Sequence, residues 1–141
     1  MPRIPGFPMF ARPLRQFLGP LSTSVAGMAA QQRFLEVISA NIANAETTRT
    51  ADGQPYQRQI AVATRDPRTG ELVTEIRTDP RPGRAVYDPG HPDADQDGYV
   101  RYPNVDINTE LVDLMMARRL HEANASVFQA AKGMLRRALD I

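Results

Sequence analysis

The sequence contains no cysteine and no tryptophan, and only 6% of its residues are aromatic. The lack of cysteine excludes disulfide bonds, thiolate nucleophiles and cysteine-ligated zinc. The formal net charge of +1 gives the chain no strong attraction to nucleic acid, so no nucleic-acid partner is expected. No apolar run approaches the roughly 18 residues of a membrane-spanning helix, so no transmembrane segment is expected.

Groups that could support catalysis are also few. The two histidines, His91 and His121, fall in a predicted loop and a predicted helix. No glycine-rich phosphate loop is present, and no nucleophile, base and orienting acid are placed as a catalytic triad requires. We therefore expect a protein that is not an enzyme and that binds no cofactor.

Proline is abundant but unevenly placed. Five of the twelve prolines lie in residues 1–20 and seven lie in 55–103. A proline inside a helix costs about 3 kcal/mol or more. The two proline-free windows, 21–54 and 104–141, are therefore predicted to be helical, with an irregular or β-rich centre between them.

These windows predict an α+β chain of about one domain, in which long N- and C-terminal helices pair as a coiled-coil-like assembly element around a small β-hairpin and loop region. We expect four segments: a Pro/Arg-rich leader over 1–20, an N-terminal helix segment over 21–50, a small β/loop centre over 51–104, and a C-terminal helix over 105–141.

The first window carries apolar residues at helical spacing. The spacing predicts a helix over about 24–46, near 35 Å long, with Ser22 or Ser24 as its N-cap. The stripe consists of Leu21, Val25, Met28, Leu35, Ile38, Ile42 and Ala45.

The second window predicts a helix over about 109–140, near 48 Å long. Asn108 or Thr109 is the expected N-cap, and Glu110 suits the positive end of the helix dipole. The stripe consists of Ile107, Leu111, Leu114, Leu120, Val127, Ala131, Met134, Ala138 and Ile141.

These two stripes have two interpretations. An αα-hairpin or small bundle could bury both of them within one chain. Alternatively, the stripes bury against other subunits, which the width of the apolar faces favours, because two helices that cover each other leave their outer flanks in water. We expect a homo-oligomer on this ground.

Alternation of apolar and polar residues predicts strands in the centre. Residues 54–64 and 72–78 alternate on either side of a turn sequence at 66–70, so a β-hairpin across 56–78 is expected. A short strand at 85–87 follows, and the chain is expected to be mostly loop from there to Pro103.

One acidic stretch has the spacing of a calcium loop. Asp93, Asp95, Asp97 and Gly98 match the opening of an EF-hand loop, but Asn104 occupies the position of the bidentate glutamate. We therefore interpret the stretch as a solvated acidic turn and expect no metal site.

The end of the first predicted helix is rich in asparagine and small residues. The run from Ser39 to Thr48 resembles the N-terminal signature of the bacterial flagellar axial proteins, the family of rod, hook and hook-associated proteins, and the run from Val105 to Ile141 resembles the matching C-terminal helix. The signature residues are Asn41, Ile42, Ala43, Asn44, Ala45 and Thr47.

The central loop is similar to that of the flagellar basal-body rod proteins within this family. Its short length differs from the larger centres of hook and distal-rod relatives. The residues that carry the similarity are Tyr87, Asp88, Pro89, His91, Pro92, Asp93, Asp95, Gly98, Tyr99, Pro103 and Asn104.

The resemblance implies a structural subunit of the proximal flagellar rod, which transmits torque across the periplasm. It implies further copies, other rod proteins, the adaptor at the rod base and the flagellar type III export apparatus as partners. It also implies export without a cleaved signal peptide. The expected assembly faces are Met28, Leu35, Ile38, Ile42, Leu111, Leu114, Leu120, Val127, Met134 and Ile141.

The leader is the main departure from the family pattern, and it fits a contact arm, part of an export signal or a misassigned start. Two other functions remain open from the residues: an unrelated coiled-coil adaptor and a calcium-binding module.

Overall fold

A computed structural model describes residues 11–139 of the chain. Two helices of 33 residues enclose a centre of four strands, so the predicted α+β class is confirmed. The elements in order are α1 (Ala11–Ala43), β1 (Gln59–Arg65), β2 (Leu72–Thr78), β3 (Ala85–Tyr87), β4 (Tyr99–Arg101) and α2 (Ile107–Leu139).

The two helices pack against each other in opposite directions. Asn41 near the end of α1 contacts Glu110 near the start of α2. Gly27 lies against the side chain of Asn124, whose Nδ2 would be 3.3 Å from a Cβ at that glycine. The two contacts are fourteen residues apart in each helix, from Gly27 to Asn41 and from Glu110 to Asn124, so the antiparallel helices keep one register over this length.

The most buried residues of the seam between the helices are small or polar. Ala30, Val37 and Asn41 of α1 are buried, as are Glu110 and Ala117 of α2. The half-buried residues Leu114, Phe128 and Leu135 continue the spacing of Glu110 and Ala117 along α2. Among the described residues, no helix is both long enough and apolar enough to cross a membrane.

The first helix begins earlier than its sequence predicts. It starts at Ala11 rather than near residue 24, and it continues through Pro13 and Pro20. Ser22 does not cap the helix, because its hydroxyl donates to the carbonyl of Gly19 within α1. Pro13 lies in the first turn of α1, where its missing backbone N–H has no intrahelical bond to lose, so proline counting placed the start of the helix too late.

The second helix has a different N-cap from the one expected. Asp106 precedes the helix, and its Oδ1 accepts a hydrogen bond from the backbone N–H of Asn108 at 3.0 Å. Its Oδ2 accepts a second bond from the Thr109 hydroxyl. Aspartate is as good a cap as asparagine, and its charge also suits the helix dipole.

The centre contains two separate antiparallel hairpins. Strands β1 and β2 pair from Gln59 opposite Thr78 to Arg65 opposite Leu72, which confirms the predicted hairpin. Gly70 closes its turn with a φ of 72°, a conformation that glycine adopts without strain. This hairpin packs on α1.

The second hairpin is formed by β3 and β4, with Val86 opposite Val100. The predicted short strand at 85–87 is confirmed, but the expectation of loop up to Pro103 was wrong at Tyr99–Arg101. Val100 is fully buried. The sequence gives little sign of this, because Val100 is in a three-residue strand between turn sequences.

Two glycines provide a matched test of this packing. A Cβ at Gly83 would collide with the carbonyl of Tyr102 and lie 2.8 Å from the carbonyl carbon of Pro103, whereas one at Gly133 in α2 meets nothing within 4 Å. We expect Gly83→Ala to lower the free energy of unfolding by about 1–3 kcal/mol. We expect Gly133→Ala to raise it by about 0.5–1 kcal/mol. Urea unfolding followed by circular dichroism measures both, and a neutral Gly83→Ala would contradict the close approach of the two segments.

Candidate assembly junction

The side chain of Asn41 joins both helices to the centre of the chain. Its Nδ2 donates to the carbonyl of Gln59 at 2.8 Å and to Oε2 of Glu110 at 3.1 Å. Its Oδ1 accepts from the Tyr56 hydroxyl at 3.0 Å and from the backbone N–H of Gln59 at 2.9 Å. Both donors and both acceptor positions of the amide are therefore used. We call Asn41, Tyr56, Arg58, Gln59 and Glu110 the junction cluster.

Glu110 is a fully buried carboxylate in the first turn of α2. Its Oε1 accepts from Nε of Arg58 at 2.5 Å, and its Oε2 accepts from Asn41. Burial of an unpaired charge would be strongly destabilising, so this pairing is what allows the carboxylate to lie in the seam. Burial raises the pKa of Tyr56, and the charge of Glu110 raises it further, which keeps the tyrosine hydroxyl a donor.

The guanidinium of Arg58 lies among three carboxylates. Besides Glu110, it approaches Asp113 of α2 at 3.6 Å and Asp79, which follows β2, at 4.0 Å. Arg58 thereby links the first turns of α2 to the open end of the β1–β2 hairpin.

Asp79 and Asn104 extend the cluster to the second hairpin. Hydrogen bonds from the Arg81 side chain and backbone, with the nearby positive charges, lower the pKa of Asp79 to about 2. Oδ1 of Asn104 accepts from the backbone N–H of Arg58 at 2.8 Å, and its Nδ2 donates to the carbonyl of Asp79 at 3.3 Å. Asn104, a predicted central-loop residue, and Asn41, a signature residue, therefore bind neighbouring backbone groups at Arg58 and Gln59.

The rest of the signature shapes the end of α1. Nδ2 of Asn44 donates to the carbonyl of Ala40, and its Oδ1 accepts from the Thr47 hydroxyl at 3.2 Å. Ala45 is buried, Ile42 is half-buried, and Ala43 is exposed as the last residue of the helix. These contacts are local and lie where the chain leaves the helix. Those of Asn41, in contrast, are long-range.

Most of the predicted central-loop residues lie away from the junction cluster. Tyr87 and Tyr99 are exposed and form an edge-to-face pair with ring centroids 5.3 Å apart. Gly98 and Pro103 are buried, while His91 is half-buried and accepts a bond from the Asp93 N–H at Nδ1. Asp88, Pro89 and Pro92 are exposed. The structure therefore divides the loop residues between the junction and a separate exposed tip.

The acidic residues of this loop hold the loop itself together. Asp93 accepts from the Thr48 hydroxyl at 2.7 Å and pairs with Arg49 at 3.5 Å. Oδ1 of Asp95 accepts from the backbone N–H groups of Asp97 and Tyr99. Within residues 11–139, no three His, Asp or Glu side chains converge as metal ligands.

An open apolar groove of about 300 Å³ runs beside the junction cluster, between α1, β1 and α2. Arg58, Glu110 and Asp113 lie at its polar end. Its apolar walls include Phe34, Ile38, Ile60, Met116 and Leu120.

The predicted assembly faces of the two helices differ in exposure. Met28, Leu35, Ile38 and Ile42 of α1 and Leu114 of α2 are half-buried. In contrast, Leu111, Leu120, Val127 and Met134 of α2 are exposed. Ile141 lies outside the described residues.

Sequence reasoning missed the two charged members of the cluster. Period-two alternation from Tyr56 through Ile60 puts Arg58 on the same strand face as these apolar residues. A cation on an apolar face requires a buried partner, and this was the available signal. Glu110 was noted only for its effect on the helix dipole, because nothing in α2 alone shows that it faces the seam.

The cluster makes a testable prediction about two asparagines. Asn41→Asp replaces a donor by an oxygen that faces the carbonyl of Gln59 and the carboxylate of Glu110. We expect it to lower the free energy of unfolding by about 3 kcal/mol or more. Asn44→Asp, the matched control, removes one half-buried bond and should cost about 1 kcal/mol. Equal losses in urea unfolding would contradict the role of Asn41.

Known flagellar rod proteins match this chain at both ends and along most of its length. Residues 21–49 match the family model described as flagella basal body rod protein, and residues 96–141 match that of the flagellar basal body rod FlgEFG protein C-terminal. The chain is 38% identical to the flagellar basal-body rod protein FlgC of Borreliella burgdorferi, over 86% of this chain and 94% of the relative. It is 37% identical to FlgC of Yersinia enterocolitica over 82% and 90%, and 35% identical to FlgC of Bacillus subtilis over 86% and 95%. The chain therefore belongs to the FlgC family of flagellar basal-body rod proteins.

Proposed function

We propose that the chain is a structural subunit of the proximal rod of the bacterial flagellar basal body, where it transmits torque from the motor across the periplasm. The observation that carries this proposal is the exposed apolar face of α2. Leu120, Val127 and Met134 recur every seven residues on one exposed side of α2, although each is large enough to stabilise a contact substantially when buried. Leu111 is also exposed, on the opposite side of the helix from Leu120. A family of rod proteins supplies the reason for such a face.

The apolar face indicates burial against neighbouring subunits. Burying a large aliphatic side chain or a methionine contributes roughly 1.5–3 kcal/mol, which the isolated chain does not gain at these positions. The proposed neighbours are further copies of this chain, other rod proteins and the adaptor at the rod base. The intramolecular seam leaves Leu120, Val127 and Met134 exposed, so they are available for such contacts.

A part that carries torque also needs a fixed angle between its segments. The junction cluster holds α1, α2 and β1 together through Asn41, Glu110 and Arg58, which are buried or nearly so. Because every polar group of Asn41 has a partner, a relative movement of the helices and the strand would break several hydrogen bonds at once. This rigidity supports a mechanical role for the junction.

The same proposal places the protein in the periplasm-spanning part of the basal body, after export through the flagellar type III apparatus without signal cleavage. Residues 1–20 are proposed as the leader, of which 11–20 form the start of α1. The exposed central-loop residues are proposed as part of the assembly surface, and the signature residues as the intramolecular support that holds the junction in place. We assign no catalytic step, since the relatives are rod proteins and His91 and His121 belong to separate elements.

A pair of α2 variants tests the assembly role in cells. In a strain that lacks the chromosomal gene, the unaltered chain should restore swimming and complete basal bodies. Val127→Asp should abolish both, because it places a charge on the apolar face. It should not unfold the subunit, because Val127 is already exposed.

Gln129→Asp is the matched control for this experiment. Gln129 is exposed two residues further along α2 and lies off the apolar face. Export of each variant is measured in periplasmic fractions, and basal bodies are imaged by electron microscopy. Normal basal bodies with Val127→Asp, or equal defects in both variants, would contradict the proposed role of this face.

A further inference from the structure

One exposed stripe of α2 has the regular spacing of a coiled-coil seam. Its members recur at alternating intervals of four and three residues, and they are Met116, Leu120, Ala123, Val127, Ala130 and Met134. We call these six residues the outer stripe. Met116, Leu120, Val127 and Met134 are 60%, 51%, 55% and 61% exposed, and both alanines are exposed as well. The stripe is distinct from the seam with α1, which uses Ala117 and Asn124.

Opposite charges mark the two ends of the outer stripe. Asp113 lies three residues before Met116, and Arg137 lies three residues after Met134, so both continue the same spacing. Within the stripe, large residues alternate with alanine between Leu120 and Met134. The stripe therefore has an acidic end, a basic end, and a sequence of large and small side chains between them.

We propose that the outer stripe pairs with the outer stripe of a second copy of this chain, antiparallel and about a two-fold axis near residue 125. In that register, Leu120 faces the partner's Ala130 and Val127 faces the partner's Ala123. Met116 faces the partner's Met134. At both ends the partly exposed Asp113, which lies 3.6 Å from Arg58 of its own chain, faces the partner's Arg137 as a second cation. This gives charge complementarity where the apolar stripe stops.

The parallel arrangement is much less favourable. It would place Leu120 against Leu120 and leave Ala123 opposite Ala123, so the seam would have both a crowded layer and a void. It would also place Asp113 against Asp113 and Arg137 against Arg137, where like charges repel. The antiparallel register instead fits each large aliphatic residue to an alanine.

The space beside the outer stripe is open to a second helix. The β1–β2 hairpin packs on α1 and makes no comparable contact with α2. Met116 and Leu120 also line the apolar groove between α1, β1 and α2. A helix on the outer stripe would therefore cover this side of the groove.

A two-fold pair closes on itself and does not grow into a longer structure. It is thus a form of the free subunit, which covers the outer stripe before assembly and competes with the contacts proposed for the rod. The pairing rests on the outer stripe alone and not on the proposed rod function. The dimer and the motility defect are measured separately, so either idea can fail without the other.

The absence of cysteine makes disulfide cross-linking a direct test. In the full-length chain, Leu120→Cys combined with Ala130→Cys should give a covalent dimer on mild oxidation. Leu120→Cys alone should give no covalent dimer, because two Leu120 positions lie about 15 Å apart along the antiparallel pair. A disulfide requires Cα atoms about 4.4–6.8 Å apart.

Arg118→Cys combined with Lys132→Cys is the matched control. Like Leu120 and Ala130, these two positions are equally far from residue 125, so each would lie level with the other in the antiparallel pair. They lie on another side of α2, however. They should not cross-link. A dimer from Leu120→Cys alone, or equal cross-linking of the control, would overturn the antiparallel register.

Sedimentation equilibrium of the unaltered chain keeps the test valid if a cysteine variant fails to fold. We expect a reversible monomer–dimer equilibrium that Leu120→Asp shifts to monomer, with the helical circular dichroism retained. A chain that is monomeric at every accessible concentration would overturn the proposal. So would a dimer that Leu120→Asp leaves unchanged.

Discussion

The Asn41 side chain uses both amide hydrogens and both oxygen lone pairs within the protein, and the parts of the chain meet around it. It binds Gln59 at the start of β1 and Glu110 at the start of α2. Glu110 can be buried only because Asn41 and Arg58 bind its two oxygens. These hydrogen bonds fix the open end of the β1–β2 hairpin, where Arg58 and Gln59 lie, and packing on α1 positions the rest of the hairpin.

The helical pair buries small and polar residues most deeply and leaves several large apolar residues exposed. Its most buried positions include alanine, valine, asparagine and glutamate, while methionine, leucine and valine side chains of α2 are exposed. In the isolated chain these exposed apolar side chains gain no stabilisation from burial. Such an exposed face suits a subunit whose larger contacts form with other molecules. The junction thus gives orientation, and the outer face of α2 is left for association.

Much of the fold could be predicted from the sequence, because proline placement and periodicity report local structure directly. The first hairpin and both helices follow from such patterns, and the resemblance at Asn41 led to the correct family. The start of α1 was misplaced because a proline in the first turn, such as Pro13, does not oppose a helix. Arg58 and Glu110 are 52 residues apart in the sequence, so no local pattern predicts that they pair. Periodicity also grouped exposed Leu120 and Val127 with half-buried Leu114 of α2, since it detects apolar residues but not what they contact.

Residue-resolved amide hydrogen exchange on the full-length monomer is the most direct test of this account. It asks whether the junction cluster is stably folded in the isolated chain while residues 125–139 of α2 are not. The backbone N–H groups of Arg58 and Gln59 donate to Asn104 and Asn41, so they should exchange slowly. Amides along residues 125–139 should exchange much faster, because the outer face of that segment lacks the burial that neighbouring subunits would supply. Protection of 125–139 equal to that of the junction in a proven monomer would contradict this account.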